Sequence, residues 1–204
     1  MQPPSPTDEE RERIIDAAYD CLSEPHTGPV PIAAILARAE VSTRAFYRHF
    51  TSKDALFLQM LRQECDALNE RLDRILDKGE PPLRQLQAWI AEMLTLAHDP
   101  RLRQHMRVID SDEVRAAKGY RGLRENTHVE RERSLAAILE RGRRDGSFPL
   151  TDPEVDAVAI SAVVSRIMTT TPPVGSALME RTLVQVFDFS LRAVGGDRGF
   201  VERR

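Results

Sequence analysis

Residues 32–54 read Ile32-Ala33-Ala34-Ile35-Leu36-Ala37-Arg38-Ala39-Glu40-Val41-Ser42-Thr43-Arg44-Ala45-Phe46-Tyr47-Arg48-His49-Phe50-Thr51-Ser52-Lys53-Asp54. Ile32, Ile35, Leu36 and Ala39 recur at the spacing of one helical face, which predicts a short helix from near Pro31 to about Ala39. A three-residue gap leads to Ser42, whose hydroxyl suits an N-cap, and a helix from Thr43 to Phe50 follows. Thr51-Ser52-Lys53-Asp54 begins the next one. Two short helices joined by a tight turn have the size and spacing of a helix-turn-helix. Stepping about 100° per residue from Thr43 places Phe46 and Phe50 at about 300° and 340°, where they anchor the second helix inward. Tyr47, Arg44 and Arg48 fall at about 40°, 100° and 140°, so with Thr43 they form an arc of donors and one aromatic that contains no acid.

That arc is a local departure from the charge of the chain. Thr43 to Lys53 hold three basic residues and no acidic one, whereas residues 8–42 hold three basic and eight acidic. The whole sequence carries 29 Lys and Arg against 32 Asp and Glu, a net charge of −3, so no overall positive field announces a nucleic-acid partner. Donors and cations in such an arrangement suit phosphates, and Arg suits the O6 and N7 edge of guanine in a major groove. A solvated helix face would carry the same pattern, so charge alone leaves both readings open.

Outward from this stretch, apolar residues keep helical spacing almost everywhere and no convincing alternation of period two occurs. Thr7-Asp8-Glu9-Glu10 is a capping box that opens a first helix, with Ile14, Ile15, Ala18 and Leu22 as its buried stripe. Glu24-Pro25-His26-Thr27-Gly28-Pro29 turns the chain. Pro81-Pro82 starts a helix with Leu83, Leu86, Ile90, Met93 and Ala97 on one face, stopped by Asp99-Pro100, and a shorter segment holds Leu102, Met106 and Ile109. Asp110 to Tyr120 is weakly patterned and polar, and its boundaries stay open. A charged helix runs from about Asn126 to Arg144 and ends at Asp145-Gly146. Residues 153–170 and 176–194 are apolar over most of their circumference, which calls for neighbours on two sides and predicts a homodimer through a four-helix contact. The predicted fold is all-α, with about nine helices: a tail at 1–7, a helix-turn-helix domain at 8–56, a helical dimerisation domain at 57–194, and a flexible tail at 195–204.

Composition sets outer limits. With 204 residues, 41% apolar and 30% charged, the chain is globular in character. No apolar run approaches the ~20 residues needed to cross a bilayer. Met1 to Thr7 is Pro-rich and does not read as a secretory signal, so a cytoplasmic, membrane-free protein is expected. Cys21 and Cys65, with no C-x-x-C partner, read as reduced structural thiols.

Ile35 to Ser42 followed by Thr43 to Leu56 resembles the amino-terminal DNA-binding signature of TetR-family transcriptional regulators. The likeness covers residues 10–60 at motif level. It implies that double-stranded DNA is the partner, that the second helix of the motif enters the major groove, and that a dimer formed by the last two helices spans a palindrome. By position, Thr43, Arg44 and Arg48 become base-reading candidates, while Tyr47, His49 and Lys53 become phosphate contacts or supports. His49 lies at about 240° and suits a satisfied core histidine equally well. Three positions depart from the family pattern. Glu40 replaces the usual Gly at a place that favours a left-handed backbone, a cost of roughly 1 kcal/mol, so a slightly different turn is expected. Leu36 stands where a small residue is common, and Ala45 where Thr or Ser often donates to phosphate.

The same resemblance implies that the domain at 57–194 is also effector-binding, with a small-molecule effector held by the helices beyond residue 81, whose identity the sequence leaves open. Trp89, Met93, Met106, Ile109 and Met168 are candidate lining residues, because an aromatic and flexible thioethers suit a variable apolar ligand; they suit plain core as well. Arg166, amid Val163, Val164 and Ile167, would meet an acid, a ligand carboxylate or the dimer partner, or else reach water at the rim. The function expected is a dimeric repressor released from a palindromic operator by that effector, with no cofactor, metal or catalytic residue. An all-helical enzyme using the carboxy-terminal pocket is the alternative. His98, His105 and His128 could serve it as bases or ligands, but no H-E-x-x-H, Gly-rich phosphate loop or G-x-S-x-G accompanies them. A third reading is a dimeric interaction protein whose helix-turn-helix is only a scaffold.

Overall fold

In a computed structural model, residues 6–170 and 176–197 are described, and every regular element among them is a helix. In chain order these are α1 Pro6–Ser23, α2 Ile32–Ala39, α3 Thr43–His49, α4 Lys53–Asp77, α5 Pro82–His98, α6 Pro100–Ile109, α7 Asp112–Arg115, α8 Tyr120–Asp145, α9 Pro153–Thr170 and α10 Ser176–Val194. The all-α reading holds. The helix count differs from the nine expected because the polar stretch after Asp110 folds as α7, a four-residue helix capped by Ser111, whose hydroxyl accepts the Val114 N–H. The expected tail at residues 1–7 lies outside the described residues up to residue 5, and α1 begins one residue ahead of Thr7.

The chain divides into two compact units, and the division is not linear. One unit comprises residues 1–64 with 104–124, the other 65–103 with 125–204, so α4, α6 and α8 each contribute to both. The first unit thus holds more than the 8–56 stretch: α7 and parts of α6 and α8 join it. Within it, α1 packs against α2, and both meet α3. Ile14, Ala18, Ile35 and Phe46 are fully buried there. Truncating a side chain such as Phe46 to alanine costs about 3–5 kcal/mol, so the orientation of α3 rests largely on that ring.

In the second unit α5 packs against α9 and α10, which also meet each other. Trp89, Met93, Phe148 and Phe187 belong to its continuous apolar core. Phe148 closes over the α8 backbone so tightly that a Cβ at Gly142 would come within 2.0 Å of the ring. Of the tail expected from Gly195, residues 195–197 are described. Gly195 takes φ 71° and the Gly196 N–H bonds the Leu191 carbonyl at 2.8 Å, which is the left-handed cap that only Gly adopts without strain. Residues 198–204 of that tail lie outside the described residues.

Candidate nucleic-acid interface

The turn before α3 forms because its backbone groups find partners. Glu40 adopts φ 53° and ψ 43°, the left-handed conformation, with its N–H directed to the Ala37 carbonyl, and the Val41 N–H bonds the Leu36 carbonyl at 3.1 Å. Glu40 is the one non-Gly residue with positive φ among the described residues. The altered turn expected from the missing Gly is therefore not found: the chain keeps the left-handed turn and carries the strain. Ser42 then caps α3 as its sequence suggested, its Oγ accepting the Ala45 N–H at 3.1 Å.

Capping and anchoring together fix which side chains face outward. Phe46 and Phe50 are buried, with ring centroids 5.6 Å apart, and Tyr47 stands edge-on to Phe46 while remaining 55% exposed. Thr43 and Arg44 are exposed at the amino-terminal end of α3. Arg44 makes no hydrogen bond or ion pair with any described residue. Its donors are thus available for an external acceptor.

The carboxy-terminal end of α3 is arranged differently. Glu10, from α1, accepts from both Arg48 Nη2 and His49 Nε2 on the same carboxylate oxygen, the latter at 2.6 Å. The Arg48 guanidinium first, and the His49 ring second, hold the Glu10 carboxyl below the usual carboxylate range. Arg48 nonetheless leaves 59% of its side chain exposed, whereas the His49 side chain is 4% exposed. Of the two alternatives for His49, the geometry is that of the buried, satisfied histidine. Lys53 is also engaged: its ammonium donates to the Val30 carbonyl and to Glu113. Glu10 and Glu113 are the residues that sequence reasoning missed. No local spacing could have found them, because they reach their partners from 38 and 60 positions away.

The effector candidates do not form one set. Met106 and Ile109 fall in the first unit, while Trp89, Met93, Met168 and Arg166 fall in the second. Trp89 and Met93 are fully buried core, and Met168 packs at its edge. The Trp89 indole donates to Ser134 Oγ at 2.9 Å. Arg166 is exposed. The second unit also bears a groove of about 430 Å³ between α4 and α8, lined by Asp66, Asn69, Leu72, Glu130, Arg133 and Ser134 among others. None of the sequence candidates lines it.

Residues 14–60 match the model of the bacterial regulatory proteins of the tetR family. Over 85 residues the chain is 29% identical to the transcriptional repressor KstR of Mycolicibacterium smegmatis, spanning 42% of this chain and 42% of that protein. It therefore spans about two fifths of the length of that curated relative. A longer likeness, 30% identity over 151 residues, links it to the nucleoid occlusion factor SlmA of Vibrio cholerae, covering 70% of this chain and 74% of that one. Among solved structures, the SmeT–triclosan complex superposes with a TM-score of 0.73 over 90% of each chain at 23% identity, which shows a shared fold.

Proposed function

The chain belongs to the TetR family of bacterial regulatory proteins, and from that premise we propose that it is a transcriptional repressor that binds an inverted repeat as a dimer and leaves it when a small molecule is bound. The family is one of regulators and not enzymes, so the mechanism is binding and release. The observation that carries the DNA reading is Arg44: an exposed guanidinium with no partner among the described residues, in the first turn of a helix capped by Ser42 and anchored by Phe46. Arg presents a rigid fork of donors that fits guanine O6 and N7 bidentately. Thr43 lies beside it, and the exposed Tyr47 hydroxyl and the free edge of Arg48 extend the same face toward phosphates. His49 supports α3 from behind.

Dimerisation through residues 153–194 is supported by apolar side chains that the second unit leaves in water. Val155 and Val158 on α9, and Leu178, Val184 and Phe189 on α10, are 62%, 51%, 41%, 50% and 39% exposed. A surface of that kind calls for a partner, and a second copy brings the matching face. Two copies of α3 about 34 Å apart would then read successive major grooves of a palindrome. Release by a small molecule is supported by the fold shared with the triclosan complex of SmeT and by the repressor relatives. Trp89, Met93 and Met168 remain the apolar candidates for contact with it. A cytoplasmic site of action fits this reading, and no described helix is long and apolar enough to cross a membrane.

Selection of genomic fragments by the purified protein, across a salt series, tests the proposal. Recovery of a short inverted repeat, bound with an affinity that falls steeply with salt, is the expected result. Fragments without common sequence, or none, would overturn it. Specific binding with no change in transcription of the adjacent genes would favour a role nearer that of the nucleoid occlusion factors.

A further inference from the structure

Glu113, on α7, occupies a place in the first unit that suits an external anion. Its carboxylate oxygens accept the Val30 N–H at 3.0 and 3.2 Å, and one of them also accepts from the Lys53 ammonium. The His26 ring nitrogen Nε2 lies 3.7 Å from the other. A backbone N–H, an ammonium and an imidazole converging on two oxygens are the donor types that hold phosphate groups in nucleic-acid complexes. The Lys53 and Glu113 side chains are 23% and 16% exposed, so solvent screens the pair only in part. The Lys118 N–H bonds Asp54 at 3.2 Å, which ties the segment after α7 to the first turn of α4 as well.

Lys53 opens α4 just after the recognition helix ends, at the position where a phosphate-holding cation is expected. An ammonium that is already neutralised by a carboxylate releases no counterion when it meets DNA, so it adds little to binding while Glu113 is in place. Resting on the DNA-binding reading above, we infer that Glu113 is a built-in competitor of the DNA backbone. Its carboxylate fills the donor set of Lys53 and Val30, and a backbone phosphate of the operator displaces it from Lys53 when the protein binds. The position of α7 therefore sets DNA affinity through a single ion pair.

Substitution at Glu113, read by DNA affinity against salt, tests this. Glu113→Gln keeps an acceptor for the Val30 N–H and frees Lys53, so affinity for the selected repeat rises by roughly fivefold, the worth of one part-exposed ion pair, and the salt slope steepens by about 0.9. Asp112→Asn removes the same charge from the next position without touching Lys53 and gives a smaller gain with no change in slope. In a Lys53→Met background, Glu113→Gln gives no more than the small gain of Asp112→Asn and leaves the salt slope unchanged. Glu113→Asp keeps the charge but shortens the reach, and tightens binding in the same direction, which covers the case in which the Gln variant folds poorly. Equal gains from Glu113→Gln and Asp112→Asn, or a Glu113→Gln gain that keeps its full size and slope change without Lys53, would overturn the inference. If neither wild type nor variant binds any sequence specifically, the DNA-binding reading fails first and this inference with it.

Discussion

The two ends of α3 are built for different tasks, although their sequences look alike. At the amino-terminal end Thr43 and Arg44 are exposed and Arg44 has no partner among the described residues. At the other end Arg48 and His49 share Glu10, and Lys53 beyond them is held by Glu113. A basic residue on a recognition helix is thus not automatically a DNA contact. Its intramolecular acid decides how much of its charge is available.

The largest expected effect separates the two ends directly. Arg44→Ala should weaken binding to the selected repeat by about 1–3 kcal/mol and relax preference at one base pair, measured by titration against a panel of variant sites. Ser42→Ala removes the cap that holds this end in place and should cost about 1 kcal/mol of stability in denaturant unfolding. Arg48→Ala, at the paired end, should weaken binding by only about 0.5–1 kcal/mol, evenly across sequences, because part of its charge is already met by Glu10. Glu40→Gly relieves the left-handed strain just ahead of Ser42 and should raise stability by about 0.5–1 kcal/mol.

The smallest effect is a pH dependence at the paired end. Because the folded-state carboxyl of Glu10 titrates below its ordinary range, its contribution to stability is present above that range and is lost as pH falls through it. The difference in melting temperature between wild type and Glu10→Gln should therefore shrink as pH falls from about 5 to about 3. A constant difference across that window would mean that the Glu10 contact with Arg48 and His49 adds nothing to the folded state.

What could be read from the sequence was what local chemistry encodes. Ser42 as a cap, Phe46 and Phe50 as anchors, and the bounds of α9 and α10 follow from residues within a few positions of one another. The left-handed position at Glu40 was also visible, but its outcome was not: sequence alone did not reveal that the turn would keep its form at a cost in strain. The stretch after Asp110 buries only Val114, Ala117 and Tyr120, too short an apolar set to set boundaries by, and polar contacts, Glu113 to Val30 and Lys118 to Asp54, hold it as well. α8 begins at Tyr120 and not near Asn126, since the buried positions of its first half include the polar Thr127 and Arg131 where an apolar stripe would otherwise mark the helix. That Met106 and Ile109 fall in a different unit from Trp89 and Met93 was not legible either, because membership of a unit depends on long-range packing, which spacing along the chain does not carry.

The most direct measurement is the affinity of wild type, Arg44→Ala and Arg48→Ala for one recovered inverted repeat, taken side by side at several salt concentrations. The expected result is a loss of about tenfold or more for Arg44→Ala, with altered sequence preference, and a smaller, sequence-independent loss for Arg48→Ala. Wild-type affinity and preference in the Arg44→Ala protein would contradict the assignment of the amino-terminal end of α3 as the surface that reads DNA.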